Sequence, residues 1–194
     1  MIDHEHKFIL ILLPKTGTTT LSNFLGGGIK NTVYKHYDNI NDTSVDYLKF
    51  STRRNPFARV VSSWKFWNRK LKKAKKPTTG FSHFVKNYRK MQKKILKITH
   101  KLDVIHFKSC VDGVMCATNN KISYKDIDLW IRTEHLQEDF NIVCDKIGIP
   151  RQQLPHKNTT KHKHYTEYYN DEIREIVEEL YAKDIEYFGY KFGE

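Results

Sequence analysis

The segment LLPKTGTTTL, from Leu12 to Leu21, brings together residue types that bind anions. An apolar run stops at a proline, and a lysine, a glycine and threonines follow before apolar residues resume. Where a strand runs into a helix through such a turn, backbone N–H groups and the positive end of the helix dipole favour an anion. Gly17 permits a tight turn, and Lys15 adds a full charge. Further donors are the hydroxyls of Thr18, Thr19 and Thr20.

The order of lysine and glycine narrows the choice of anion. A Walker A loop places its lysine after the last glycine, directly before a Ser or Thr that binds Mg²⁺. Here Lys15 precedes Gly17, and the sequence offers no convincing partner acid for a metal. The segment therefore predicts a site for a phosphate-like group with no metal ion. Taken alone, it is also compatible with a simple helix cap.

A second segment, RRNPFARVVSSW, has the same strand–loop–helix form. It places Arg54 at the end of a predicted strand and Ser62 two helical turns later, with Pro56 in the first turn of the helix. Arg54 can form bidentate hydrogen bonds with a phosphate, and Ser62 can donate to the same group. A ligand bound by both loops carries phosphate-like groups at two separated places. Adenosine 3′-phosphate 5′-phosphosulfate (PAPS) has that shape.

Three apolar segments predict the strands that position these loops. KFILILL (7–13) lacks alternation, which is typical of a fully buried parallel strand, and YLKFST (47–52) and IDLWI (127–131) are the other two. The first two strands are each followed by a loop and a helix. This order predicts an α/β fold with the site at the carboxyl ends of the strands.

Helical periodicity predicts the remaining elements. One helix follows the first loop and ends at GGG (26–28), and another begins at Pro56. A basic helix is predicted over 81–98, after a PTTG loop. An amphipathic helix is predicted to start with Thr133 as its N-cap and to end before Gly148. The segment 149–170 is predicted to be a loop, and a single closing helix is predicted over 171–188.

Composition limits the classes of protein and partner. At 194 residues and 39% hydrophobic residues, the chain suits one globular domain over 1–194, with a basic helical insertion at about 65–101. A net charge of +12 favours nucleic acid, phosphorylated or sulfated ligands, or acidic glycans. The basic stretch is either a solvated surface or a patch that attracts an acidic substrate. Both readings stay open.

The apolar run from Phe8 to Leu13 is too short for a signal sequence or a membrane span, so a cytoplasmic protein is expected. The three cysteines suit buried free thiols in a reducing compartment better than disulfides or a zinc site; they are Cys110, Cys116 and Cys144.

Both loops resemble those of a known family. LPKTGTTT resembles the 5′-phosphosulfate loop of PAPS-dependent sulfotransferases, and RRNPFARVVSSW resembles their 3′-phosphate motif. The C-terminal segments DLWIRTEHLQEDFNIVCDKIGI, LPHKNTT and YYNDEIREIVEELYAKDIEYFGYKF resemble the carbohydrate branch, sulfotransferase family 2. The resemblance implies a P-loop-like three-layer α/β domain with a central parallel sheet flanked by helices. It also implies transfer of a sulfuryl group from PAPS to an acceptor hydroxyl on a carbohydrate.

The resemblance assigns roles to individual residues. The 5′-phosphosulfate would be held by Lys15, Thr16, Gly17, Thr18, Thr19 and Thr20. Arg54 and Ser62 would hold the 3′-phosphate, and Lys161 would contact PAPS from the late loop over 158–164. Lys15 would also be catalytic. His36, in the Lys35–His36 pair, would be the general base, with His106 as the alternative. Glu134 matches a recurrent acidic position, although a helix-capping role suits it better.

Other functions remain open from the sequence. A metal-dependent nucleotide kinase would require Mg²⁺, and a nucleic-acid-binding module would use the basic stretch. The latter ranks lower because no recognised nucleic-acid motif is present. A family member that binds PAPS without turnover is also compatible. The acceptor could be a glycan, a glycolipid, a small alcohol or a tyrosine, and the oligomeric state is not predicted.

Overall fold

The computed structural model describes residues 1–26, 46–90, 105–154 and 163–194. In chain order, the described strands are β1 (Ile2–Asp3), β2 (Phe8–Ile11), β3 (Leu48–Arg53) and β4 (Leu129–Arg132). The described helices are α1 (Thr18–Phe24), α2 (Pro56–Lys73), α3 (Phe81–Lys86), α4 (Cys110–Ala117), α5 (Leu136–Ile147), α6 (Asp171–Leu180) and α7 (Ala182–Phe188). Short 3₁₀ turns cover Tyr124–Asp126, Thr133–His135 and Tyr165–Tyr168.

The chain forms two compact units. The first comprises Met1–Arg54 and Cys110–Thr160, and the second comprises Asn55–Ser109 and Lys161–Glu194. Each unit has its own apolar core. The prediction of a single domain with a basic insertion stays a prediction.

The first unit contains a four-stranded sheet in the order β1-β2-β3-β4. The pairs β2–β3 and β3–β4 are parallel, and every residue of β2 is buried, as its unbroken apolar run predicts. Helices α1, α4 and α5 belong to the same unit and flank the strands. The predicted α/β fold with parallel strands flanked by helices is therefore confirmed. The antiparallel pairing of β1 with β2 makes the sheet mixed, which the sequence did not indicate.

The core of the first unit joins the sheet to α1 and α5. Phe50 in β3 packs against Phe8 in β2, with ring centroids 5.5 Å apart, and Phe140 in α5 packs edge-on against Phe24 in α1. Burial of these large side chains fixes α1 and α5 relative to the strands from which the loops emerge.

The second unit is helical and has an aromatic core. Helix α2 begins as predicted, with Pro56 at its first position and the Asn55 side chain accepting from the backbone N–H groups of Phe57 and Ala58. Its core contains Phe57, Val60, Val61, Phe81, Phe84, Val85, Tyr88, Phe107, Tyr165, Ile173, Val177 and Tyr181.

The C-terminal segments differ from the prediction in two ways. The predicted loop over 149–170 contains the 3₁₀ turn Tyr165–Tyr168. The predicted closing helix is two helices, because the chain leaves the helical conformation at Tyr181, whose buried hydroxyl forms a short hydrogen bond with that of Tyr88.

Thr133 is not an N-cap. A 3₁₀ turn occupies Thr133–His135, α5 starts at Leu136, and the Thr133 hydroxyl instead donates to the carbonyl oxygen of Arg53 at 2.7 Å. The end of α5 before Gly148, which has φ 72°, is confirmed.

Of the predicted basic helix over 81–98, α3 covers Phe81–Lys86, and residues 91–98 lie outside the described residues. The cysteines are free, with Cys110 and Cys144 buried and Cys116 partly so. None of the helices in the described ranges is both long enough and apolar enough to span a bilayer.

Candidate functional site

The carboxyl ends of β2, β3 and β4 lie at one edge of the sheet because these strands are parallel and in register. Each strand end leads into a polar or basic segment of the first unit. The loop after β2 carries Lys15, β3 ends at Arg53 and is followed by Arg54, and β4 ends at Arg132. The two predicted phosphate-binding segments therefore start at neighbouring strand ends.

The loop after β2 has an unusual backbone conformation at two positions. Lys15 has φ 69° and Gly17 has φ 81°, both in the left-handed region. Glycine adopts this region freely, whereas for lysine it is uncommon and costs conformational energy. Such local strain is concentrated at functional sites. A Cβ atom at Gly17 would lie 3.4 Å from Leu136 Cδ2, so this position also packs closely against the start of α5.

Two threonine hydroxyls hold the loop in this shape. Thr16 Oγ1 and Thr18 Oγ1 each donate to the carbonyl oxygen of Leu13 at 2.8 Å. Thr16 Oγ1 also lies 2.5 Å from Thr52 Oγ1 of β3. Since the Thr16 proton is directed to Leu13, the Thr52 hydroxyl is the donor in this second bond.

The loop threonines thus differ in what they can offer a ligand. The hydroxyl protons of Thr16 and Thr18, both buried, are engaged with the backbone, so these two residues would meet an anion through their N–H groups. Thr19 is exposed and Thr20 is half-buried. Ligand binding by all four remains a prediction.

Arg54 links the second strand end to this loop. Its Nη1 donates to the carbonyl oxygen of Lys15 at 3.3 Å, and both side chains are half-buried. The bond joins two residues that the sequence assigned to opposite ends of one ligand. It places the Arg54 guanidinium beside the loop in the first unit.

The third strand end is fixed by an ion pair that sequence reasoning missed. The Asp139 carboxylate accepts from Arg132 Nη2 at 2.6 Å, from Arg132 Nε at 2.9 Å and from the Arg132 backbone N–H at 2.7 Å. Burial alone would raise the pKa of Asp139, but the hydrogen bonds and charge of Arg132 outweigh it and hold that pKa below its usual value. The pair fixes the turn between β4 and α5.

Ser62 lies in α2 of the second unit and is half-buried. Its predicted role beside Arg54, a residue of the first unit, stays a prediction.

Sequence reasoning missed the role of Asn55, which lies immediately before α2. Besides capping α2, its buried side-chain amide donates to the carbonyl oxygen of Lys191 at 3.1 Å. An Asn before Pro at a predicted helix start is an N-cap signal that could have identified it.

Of the two candidate general bases, the structure describes only His106. His36 and its neighbour Lys35 lie outside the described residues, as does Lys161. His106, the alternative base, is half-buried in the second unit, with its ring stacked on Phe66 at 4.9 Å between centroids. Glu134 is exposed in the 3₁₀ turn before α5.

Comparison with known proteins identifies the family. A family model described as the sulfotransferase family, of the family 2 type, matches residues 1–191 of the 194-residue chain. No curated protein and no solved structure matches the chain significantly. Because the family match covers nearly the whole chain, including both loops at the sheet edge, the chain belongs to sulfotransferase family 2.

Proposed function

We propose that this protein transfers a sulfuryl group from PAPS to an acceptor hydroxyl on a carbohydrate. The family match supports sulfotransfer. The carbohydrate acceptor is supported by the resemblance of the C-terminal segments to the carbohydrate branch.

One observation carries the proposal for the donor. The Lys15–Gly17 loop adopts a left-handed backbone at two of its three residues, and it follows the buried parallel strand β2 after three intervening residues. Arg54 donates to this loop from the neighbouring strand end. A left-handed backbone segment that contains one half-buried cation and accepts a hydrogen bond from another is suited to a phosphate-like group.

The donor chemistry of the residues also fits PAPS. The segments that follow β2 and end β3, residues 14–20 and 53–55, contain three cations and no carboxylate. Arginine and lysine hydrogen-bond phosphate and sulfate oxygens strongly because the bonds are charge-assisted. The residues that would hold the 5′-phosphosulfate are Lys15 and Thr16 to Thr20, and Arg54 and Ser62 would hold the 3′-phosphate.

When bound, PAPS supplies an activated sulfuryl group, and its transfer leaves negative charge on the bridging oxygen of adenosine 3′,5′-bisphosphate. The Lys15 ammonium and the loop N–H groups stabilise that charge. Preorganised donors of this kind contribute about 10²–10³ each in rate. Lys15 thereby supplies at its own position the positive charge that kinases take from a metal ion. His36 would accept the acceptor's proton, a contribution of roughly 10²–10⁴ in rate.

The first test replaces Lys15 with alanine. Turnover is measured as transfer of labelled sulfuryl groups from PAPS to a panel of oligosaccharides, glycolipids and small alcohols. Lys15→Ala should lower kcat by about 10²–10³-fold or more, because the charge on the leaving oxygen loses its cation. The melting temperature should change little, since the left-handed backbone raises the conformational energy of lysine and of alanine by a similar amount.

Lys125→Ala is the matched control, because Lys125 is an exposed lysine in a 3₁₀ turn of the first unit. Its activity should equal that of the wild type. Near-normal turnover by Lys15→Ala would remove Lys15 from the catalytic role. Labelling of lipids or small alcohols in preference to oligosaccharides would refute the carbohydrate acceptor.

A further inference from the structure

A strongly charged surface lies on the C-terminal half of α2 and the turn that follows it. Between Asp46 and Asp103 the chain contains no acidic residue and 18 lysines and arginines. Seven of these cations fall within residues 65–76, and we call them the α2 basic surface: Lys65, Arg69, Lys70, Lys72, Lys73, Lys75 and Lys76. All but Lys65 are exposed.

Carboxylates of the described residues do not neutralise the α2 basic surface. Within the described ranges, none of its seven side chains forms an ion pair. Two other cations of the same unit differ: Lys86 at the end of α3 pairs with Glu172, and Arg89, three residues further on, pairs with Glu179, each at 2.7 Å. The acidic helix α6 therefore balances Lys86 and Arg89, whereas no carboxylate of the described ranges pairs with the α2 basic surface.

Aromatic rings hold two of the seven cations in place. Lys65 Nζ lies 4.8 Å from the centre of the Tyr168 ring. Lys70 Nζ lies 4.8 Å from the centre of Phe66 and 4.9 Å from that of Trp67. Cation–π contacts restrict these long side chains while leaving their charge available. Part of the entropy cost of ordering them for a ligand is thus already met.

The length of the surface favours a polymeric anion. At 1.5 Å per residue, the cations from Lys65 to Lys73 extend along about 12 Å of helix. Unbalanced like charges at this density repel one another, and a chain with repeated negative groups relieves the repulsion over that whole length. A single small anion would reach only one end.

The side chains distinguish between two kinds of polyanion. Six of the seven cations are lysines, which act as point charges on flexible stems and need no fixed geometry. Single-stranded nucleic acids are typically bound by stacking their bases on open aromatic rings. Here the Phe66 ring is stacked on His106 and lies beneath Lys70, so it provides no such platform.

We infer that the α2 basic surface binds an anionic polysaccharide through the carboxylate or sulfate groups repeated along it. The choice of a polysaccharide as the polymer rests on the proposed function, whereas the uncompensated charge does not. The surface gives the acceptor chain a binding site formed entirely by α2 and its following turn.

The test measures binding without turnover, by fluorescence anisotropy. The probe is a labelled decasaccharide of alternating glucuronic acid and N-acetylglucosamine, with a neutral maltose-type decasaccharide and a thymidine hexanucleotide for comparison. Salt is varied over roughly 50–300 mM, because binding by counterion release weakens with salt. The variant Lys72→Gln/Lys73→Gln/Lys76→Gln removes three uncompensated charges.

The matched control removes the same net charge from ion-paired positions, as Lys86→Gln/Arg89→Gln/Arg151→Gln; Arg151 pairs with Asp145 at 2.6 Å. The α2 triple variant should bind the acidic decasaccharide at least ~10-fold more weakly and with a smaller salt slope, and the control should lose less than ~3-fold. Equal losses in both variants, or no wild-type binding of the acidic decasaccharide, would overturn the inference. Tighter binding of the hexanucleotide would overturn the choice of polysaccharide.

The same protein is titrated with adenosine 3′,5′-bisphosphate in parallel. If the bisphosphate binds and the acidic decasaccharide does not, the inference fails while the proposed donor site stands. If the decasaccharide alone binds as expected, the α2 surface is supported and the proposed function fails.

Discussion

Thr16 and Thr18 both donate their hydroxyl protons to the carbonyl oxygen of Leu13. Both residues were predicted to bind the ligand. Thr16 is fully buried, so its side chain contributes to the site by fixing the backbone. The sequence predicts a loop rich in hydroxyls, but the direction of each hydroxyl depends on tertiary neighbours such as Thr52 that lie far away in sequence.

Thr16→Val tests this structural role. Valine keeps the shape but leaves the buried Thr52 hydroxyl without its acceptor, so the free energy of unfolding should fall by about 1–3 kcal/mol. Urea denaturation measures the change. The exposed neighbour provides the control, since Thr19→Val should stay within about 0.5 kcal/mol of wild type. Equal effects at the two positions would contradict the role of Thr16.

The Arg132–Asp139 pair makes a pH-dependent prediction. The folded-state pKa of Asp139 is below its ordinary value of 3.8, so the folded state binds protons less readily than the unfolded state. The stabilisation is therefore fully present above about pH 5 and is lost as pH falls through the folded pKa.

Asp139→Asn should cost about 2 kcal/mol at neutral pH, because hydrogen bonds to charged groups contribute about 1.5–3 kcal/mol each and the Arg132 side chain is 40% exposed. Unfolding by urea is measured for both proteins from neutral pH into the acid range. The difference between them should shrink as pH falls below the ordinary carboxyl pKa. A difference that stays constant with pH would show that the carboxylate charge is not what stabilises the turn.

Among the elements, the strands were predictable and some helix ends were not. Buried parallel strands have a strong local signal, and the predicted and observed bounds of β3 differ by one residue at each end. Strand β1 has two residues, too few to show any periodicity. The chain leaves the helical conformation at Tyr181, whose hydroxyl bonds to that of Tyr88, 93 residues away in the sequence, a contact that no local pattern reveals.

Helix α2 depends on the residue that precedes it. The Asn55 side chain accepts from two backbone N–H groups of α2, while its own amide donates to the Lys191 carbonyl. Asn55→Ala should lower the free energy of unfolding by about 2 kcal/mol, because a helix cap is lost and the Lys191 carbonyl loses its donor. Ser123→Ala removes the cap of an exposed 3₁₀ turn and should cost less than half as much. Urea denaturation measures both changes in the free energy of unfolding. Equal changes would show that the hydrogen bond from the Asn55 amide to the Lys191 carbonyl contributes nothing.

For the whole molecule, the sequence predicted the net charge and the fold class but not which charges pair with one another. The net charge of +12 indicated an anionic partner, but only the structure shows that acids of α6 pair with Lys86 and Arg89 and not with the α2 basic surface. The candidate donor site was predicted from two segments together, LPKTGTTT and RRNPFARVVSSW, and from their resemblance to sulfotransferase loops. The ion pair of Arg132 with Asp139 was missed because seven residues separate the partners across a turn.

Calorimetric titration with adenosine 3′,5′-bisphosphate, in the presence of EDTA, tests the donor site most directly. The wild type should bind this nucleotide without metal and more tightly than it binds ATP with Mg²⁺. Lys15→Ala and Arg54→Ala should each weaken binding by about tenfold or more, since each removes a charge-assisted contact to a phosphate. Absence of binding, a requirement for Mg²⁺, or unchanged affinity in both variants would contradict a PAPS site at this edge of the sheet.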